Sequence, residues 1–255
     1  MIECVQQHHI KIYIEFVIDC VLAYVLFVIS TLLFAGFDQF SHVLMSGYNV
    51  NAKIGFAQSD RVIWQLIATL GVTGLTSYSV YRLRCPASAK EKRLAWDAWS
   101  NGKTWRWLAI GVISVVLINI ILTSVIKQMG IAIDPSNSDL IHQAMQQSPI
   151  FLTLFVVILA PCYEELLFRR VLFGRFLRAH KTVLGVVLSS FLFAFMHEIP
   201  GHSTNGGWAL LSLWLIYGAM GGVLAVVYQR TKALWASVVV HGCNNLLALL
   251  LLLHG

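Results

Sequence analysis

Long apolar runs separated by short polar gaps organise this chain of 255 residues. Seven runs stand out, approximately Val17–Phe37, Val62–Tyr81, Trp107–Val125, Ile150–Phe168, Val183–His197, Trp208–Tyr228 and Leu234–Leu253. Each is close to the roughly 20 residues that an α-helix needs to cross about 30 Å of hydrocarbon. The fifth is short, and the fourth runs on into a polar extension. The alternation of a barrel strand is absent, so the spans are predicted to be helices, the open structure that satisfies its own backbone in lipid. The expected fold is an all-α polytopic bundle of about seven spans, with a polar cavity in its last four helices. It forms a single membrane domain over 1–255, in which 1–149 holds three spans and an interfacial loop.

Composition sharpens this reading. Hydrophobic residues make up 58% and charged residues 12%, against about a quarter charged in a soluble domain. So few charges cannot cover a water-facing surface, and lipid must be the main solvent. The apolar run near the N-terminus is too long for a signal peptide and reads as a retained first span.

The net charge of +6 matters through its placement. Fifteen of the 18 Lys and Arg residues fall in gaps on one side: Lys11, the stretch from Arg82 to Arg106, the stretch from Arg169 to Lys181, and Arg230 with Lys232. Lys53, Arg61 and Lys127 fall on the other. By the positive-inside bias the N-terminus is expected in the cytoplasm and the C-terminus outside, in what reads as a bacterial cytoplasmic membrane. Basic residues scattered in short gaps face anionic lipid and do not suit nucleic acid.

The gap from Cys85 to Arg106 alternates charges with Trp96, Trp99 and Trp105, the pattern of an interfacial segment at headgroup level. Lys11, Glu15 and Asp19 share a helical face and read as an amphipathic lead-in to the first span. Gly218 and Gly222 form a GxxxG, a sign of close helix packing. The five cysteines include no CxxC pair, so neither a disulfide framework nor a zinc ribbon is implied.

Ionisable groups at membrane depth are costly and call for a reason. Pro161-Cys162-Tyr163-Glu164-Glu165 leads into Arg169 and Arg170. Glu165 and Arg169, four apart, share a helix face and can pair. Glu164 is rotated about 100° away and has no local partner. The basic segment Arg178–Thr182 reads as a turn, and Glu164 and His197 both lie 16.5 positions from a centre at 180.5. In an antiparallel hairpin they therefore reach one level, roughly 25 Å along each helix. His241 and Asn245, at i and i+4, add a second polar face on the last span. Four polar groups are thus predicted to converge.

These residues carry a family resemblance. Glu164-Glu165-xxx-Arg169, Phe193-xxx-His197 and His241-xxx-Asn245, in that order and each on a predicted helix, resemble the three motifs of the CAAX protease and bacteriocin-processing (CPBP, or Abi) family of intramembrane endopeptidases. That family includes the type II CAAX prenyl endopeptidases. The likeness covers about Ile150 to Leu253 and implies a catalytic core there, over 150–253. It implies that Glu164 is the catalytic carboxylate, that His197 helps it activate water, and that His241 and Asn245 stabilise the oxyanion. Glu165, Arg169 and Phe193 would be structural supports. Such chemistry needs a base for water and donors aimed at the developing negative charge.

Rival readings remain. Glu164, His197 and His241 supply one oxygen and two nitrogens that suit Zn²⁺ with an open position for water. No HExxH is present, because His197 is followed by Pro200 and the next histidine is His202. A metal-independent glutamate mechanism is therefore favoured, and no cofactor is assigned. Cys243 lies about 200° from His241 and does not suit a nucleophile. A non-proteolytic scaffold or bacteriocin-type immunity protein is the alternative function. A transporter fits less well, since no inverted repeat is evident. The expected partners are a peptide or protein substrate and the bilayer.

Overall fold

The computed structural model describes residues 2–48, 58–201 and 203–254. Lys53 and His202 lie outside them. The described residues form nine helices and no strand: α1 (Ile2–Tyr48), α2 (Gln58–Arg84), α3 (Ala89–Asp97), α4 (Gly102–Gln128), α5 (Ser138–Gln147), α6 (Pro149–Arg178), α7 (Thr182–His197), α8 (Gly207–Thr231) and α9 (Leu234–His254).

Among the described residues, five helices are long and apolar enough to cross a membrane: α4, α6, α8, and parts of α1 (Ile10–Phe37) and α9 (Leu234–Leu251). The protein is an integral membrane protein. The predicted fifth span is α7, which at 16 residues is too short by itself. The predicted second span departs from expectation for another reason. α2 has 27 residues but is diluted by hydroxyls. Its Thr69 bonds back to the Gln65 carbonyl at 2.8 Å, Thr73 does the same to Thr69, and Thr76 and Ser77 are buried. α2 packs between α1 and α6, and it is Thr76 and Ser77 that face protein there.

The Lys11–Glu15–Asp19 face does more than lead into the first span. Asp19 is wholly buried and accepts from Arg84 Nε at 2.8 Å and from Arg175 Nε at 2.6 Å. Glu15 pairs with the same two arginines. Two carboxylates of α1 thereby fasten the end of α2 to the end of α6. A buried carboxylate is tolerated only when paired and hydrogen-bonded, and both conditions are met.

Close helix packing does occur at the glycines of α8, one residue away from where the GxxxG places it. A side chain at Gly221 would meet Ser190 of α7 at about 3.1 Å, whereas Gly218 and Gly222 have 4.0 Å of room.

The tryptophan segment begins as the short helix α3, opened by a capping box of Ser88 and Glu91, and passes through a 3-10 turn at Ala98–Ser100 into α4. Trp96 stays exposed, while Trp99 stacks on Trp235 of α9 at 3.9 Å and Trp105 leans on both. Glu91 also clamps Arg170 of α6 at 2.7 and 2.9 Å. These hydrogen bonds from Arg170 hold the Glu91 carboxyl down at about 2, against the opposing push of partial burial. A carboxyl depressed in the folded state stabilises it above the ordinary value, and that stability fades as pH falls from about 4.5 toward about 2. The Glu91 side chain is 38% exposed, so screening should limit its worth to about 1 kcal/mol or less. Acid unfolding in detergent should show wild type losing its margin over Glu91→Gln within that window; a margin unchanged down to pH 2 would refute the clamp.

Candidate active site

The site is built where α6, α7 and α9 meet, and its local backbone follows from one residue. Pro161 sits mid-span in α6, lacks an N–H, and its ring crowds the carbonyl four residues back. Immediately before it, Phe155–Leu159 is π-helical, with Ala160 N–H donating to Phe155 O. In that i+5 pattern the donor for Val156 O would be residue 161, which has none. Val156 O is therefore an orphan in a place where water is scarce. Asn245 of α9 supplies the missing donor, with Nδ2 at 2.8 Å from Val156 O. Gly242 of α9 lies against the neighbouring Val157 carbonyl, so closely that a Cβ would overlap the oxygen. The π segment, Gly242 and Asn245 together let α6 and α9 pack backbone to backbone.

The next turns of α6 carry the carboxylates. Glu165 is wholly buried. One oxygen accepts from Arg169 Nε at 3.0 Å, and the other from His241 Nδ1 at 3.1 Å. The i,i+4 pairing expected from the sequence is present, but Glu165 is also the group that orients His241. Arg169 is equally buried; its guanidinium carbon lies 5.0 Å from the centre of the Phe193 ring, and its two terminal nitrogens have no hydrogen-bond partner among the described residues.

Glu164 points elsewhere, into the site. Its Oε2 is buried without a hydrogen-bond partner among the described residues, 3.7 Å from His197 Nε2 and 3.8 Å from His241 Nε2. The level match between Glu164 and His197 is borne out across a turn at residues 179–181. His197 is held by its own helix. Its Nδ1 is 2.8 Å from Phe193 O, and its ring lies between Phe193 at 4.3 Å and Tyr217 at 4.6 Å. Phe193 is wholly buried, beneath both His197 and His241.

Protonation follows from these partners. A carbonyl can only accept, so His197 Nδ1 carries a proton, and Nε2 is an acceptor when the ring is neutral and a donor when it is not. The same holds for His241, whose Nδ1 faces the Glu165 carboxylate. Both Nε2 atoms thus approach one carboxylate oxygen, and a water beside them can donate to two of these three acceptors at about 2.8 Å. The side chains of Glu164 and His197 are 18% and 22% exposed, although Glu164 Oε2 itself is buried.

Glu164, His197 and His241 are also the atoms a divalent ion would use. Their 3.7 and 3.8 Å separations are slightly wider than the edge of about 3.4 Å in a tetrahedral zinc site. Among the described residues no three His, Cys, Asp or Glu form a metal-holding group.

Two features lay beyond sequence reasoning. Glu198, next to His197, is wholly buried and accepts from Ser136 N at 2.8 Å, Ser136 Oγ at 2.6 Å and Ser203 Oγ at 2.8 Å. Its carbonyl accepts from Trp214 Nε1 at 2.8 Å. Glu198 thereby ties the end of the His197 helix to two loops. Asn119 of α4 donates to Asn244, whose amide reaches Asn245 Oδ1 at 3.4 Å, so a chain of amides backs the last span. An Asn in each of two spans was the available signal for this second link.

Comparison with known proteins bears out the CPBP resemblance. Residues 146–247 match the family model described as type II CAAX prenyl endopeptidase Rce1-like. The protein named "Putative membrane peptidase YdiL" of Bacillus subtilis is 27% identical over 116 residues, 46% of this chain and 43% of that protein. The membrane-embedded CAAX protease MroQ of Staphylococcus aureus is 28% identical over 151 residues, 54% of each chain. The UPF0177 protein YbdI of Lactococcus lactis is 32% identical over 100 residues, 39% of this chain and 48% of that protein. The matched stretches thus span about half the length of these relatives. No solved structure matches.

Proposed function

We propose that this Rce1-like membrane chain is an intramembrane endopeptidase that hydrolyses a peptide bond with water activated by Glu164 and His197. The observation that carries the reading is the approach of the His197 and His241 Nε2 atoms to the buried Glu164 Oε2, at 3.7 and 3.8 Å. A water there loses a proton to Glu164 as its oxygen attacks the carbonyl carbon, and the proton passes by way of His197 to the leaving amine. His241 can donate to the oxyanion only when doubly protonated, because Glu165 holds the Nδ1 hydrogen; the Glu165 carboxylate is then its counter-charge. Asn245 has one Nδ2 hydrogen committed to Val156 O and a second for the oxyanion.

The catalytic core is assigned to 150–253 within a single membrane domain, with 1–149 packing around it. The substrate is a peptide or protein reached within the bilayer. The N-terminus is placed in the cytoplasm and the C-terminus outside a bacterial cytoplasmic membrane. No resident metal is assigned.

Cleavage of a candidate membrane peptide by purified protein tests this. His197→Ala should lower the rate by about 10²-fold or more while the variant still melts cooperatively, and a chelator should leave wild type active. Full cleavage by a folded His197→Ala variant would remove His197 from the mechanism, and a folded wild type that cleaves no membrane peptide would sink the protease reading. Loss on chelation, restored by Zn²⁺, would move the mechanism to a metal.

A further inference from the structure

The basic end of the bundle holds a cavity of about 310 Å³ between α1 and the ends of α2 and α6, and Lys11, Glu15, Arg84, Arg175 and Arg178 are among its lining residues. Its charges do not cancel. Arg84 and Arg175 are neutralised by Glu15 and Asp19, which they share. Among the described residues, Lys11 and Arg178 have no carboxylate partner. Among the described residues, Arg178 donates only to the Cys85 thiol, at 3.2 Å, and a thiol is a weak, uncharged acceptor. Lys11 is exposed. Two positive charges therefore face a cavity whose other cations are already fixed in place by a buried carboxylate, so ordering costs little on binding.

We propose that this cavity binds the phosphate of an anionic lipid headgroup. The surface beside it points to lipid over free phosphate. On the helix that carries Lys11, the residues Ile14, Val17 and Ile18 are 53%, 56% and 43% exposed. They follow Lys11 at i+3, i+6 and i+7, and so continue from it along one side of α1. A phosphate held by Arg178 and Lys11 would lay its acyl chains along this apolar strip. The site lies outside the proposed catalytic cluster and does not depend on that reading.

The test is lipid retention, read by native mass spectrometry after exchange of the full chain into detergent with phosphatidylglycerol or phosphatidylcholine. Wild type should retain phosphatidylglycerol in preference to phosphatidylcholine. Lys11→Gln and Arg178→Gln should each weaken that retention roughly fivefold, and the double variant roughly 25-fold. Lys127→Gln, remote in sequence and on the opposite predicted side, should change nothing. Neither substitution removes a carboxylate's partner, so both variants should fold; melting checks this, and Lys11→Gln, at an exposed position, carries the test if Arg178→Gln fails. Equal retention of the two lipids, or retention unmoved in folded variants, would overturn the proposal. Inorganic phosphate binding alone as tightly as phosphatidylglycerol would overturn the assignment to lipid.

Discussion

Glu164→Gln should cut peptide cleavage by about 10²- to 10⁴-fold, equal to roughly 3–5 kcal/mol of transition-state stabilisation. The amide keeps the size and shape of the carboxylate but cannot take a proton from water. The fold should be almost untouched, because the Glu164 oxygen facing the site has no hydrogen-bond partner and no full ion pair to lose. A donor amide placed between two Nε2 acceptors should even hold the pocket closed. The prediction is therefore a split: inactive in single-turnover cleavage, and unchanged or slightly stabilised in thermal unfolding. Activity within tenfold of wild type would remove Glu164 from the role of base. A collapse of stability would mean that the carboxylate is a structural group.

Much of this arrangement is legible in the sequence because helices in lipid obey simple counting. The level of Glu164 with His197 follows from distance to a basic turn, and the Glu165–Arg169 pair follows from i,i+4 spacing. Counting works here even though α6 is π-helical at Leu166–Phe173, between Glu164 and the turn. Where the sequence falls short, the missing information is tertiary. The π segment before Pro161 is an interrupted helix that counting cannot see, although a proline inside a span is its visible cause. The bond from Asn245 to Val156 O follows only once that segment has orphaned a carbonyl. The predicted second span carries its hydroxyls toward helices whose positions no local pattern reveals. Asp19 looks interfacial by periodicity, and its burial against Arg84 and Arg175 depends on two elements far along the chain. Glu198 is hidden in the same way, since its donors Ser136 and Ser203 lie in loops.

Glu165→Ala should be the most damaging single substitution in stability. Removing one partner of a buried pair leaves the other charge uncompensated, at a cost of about 3–5 kcal/mol. Here the buried Arg169 would keep only the Phe193 and Phe168 rings, with its N–H groups unpaired among the described residues. The same change also frees His241 Nδ1, so loss of cleavage by the single variant cannot separate folding from chemistry. The double variant Glu165→Ala/Arg169→Met does separate them. Replacing the arginine by an apolar chain of similar length removes the stranded charge and keeps contact with Phe193, so most of the stability should return. Cleavage should stay reduced by between about ten and 10⁴-fold, because nothing then fixes the His241 tautomer or faces its positive form. Thermal unfolding and single-turnover rates on the same preparations give both readings. If the double variant regains cleavage along with stability, Glu165 serves Arg169 alone, and His241 needs no carboxylate to act.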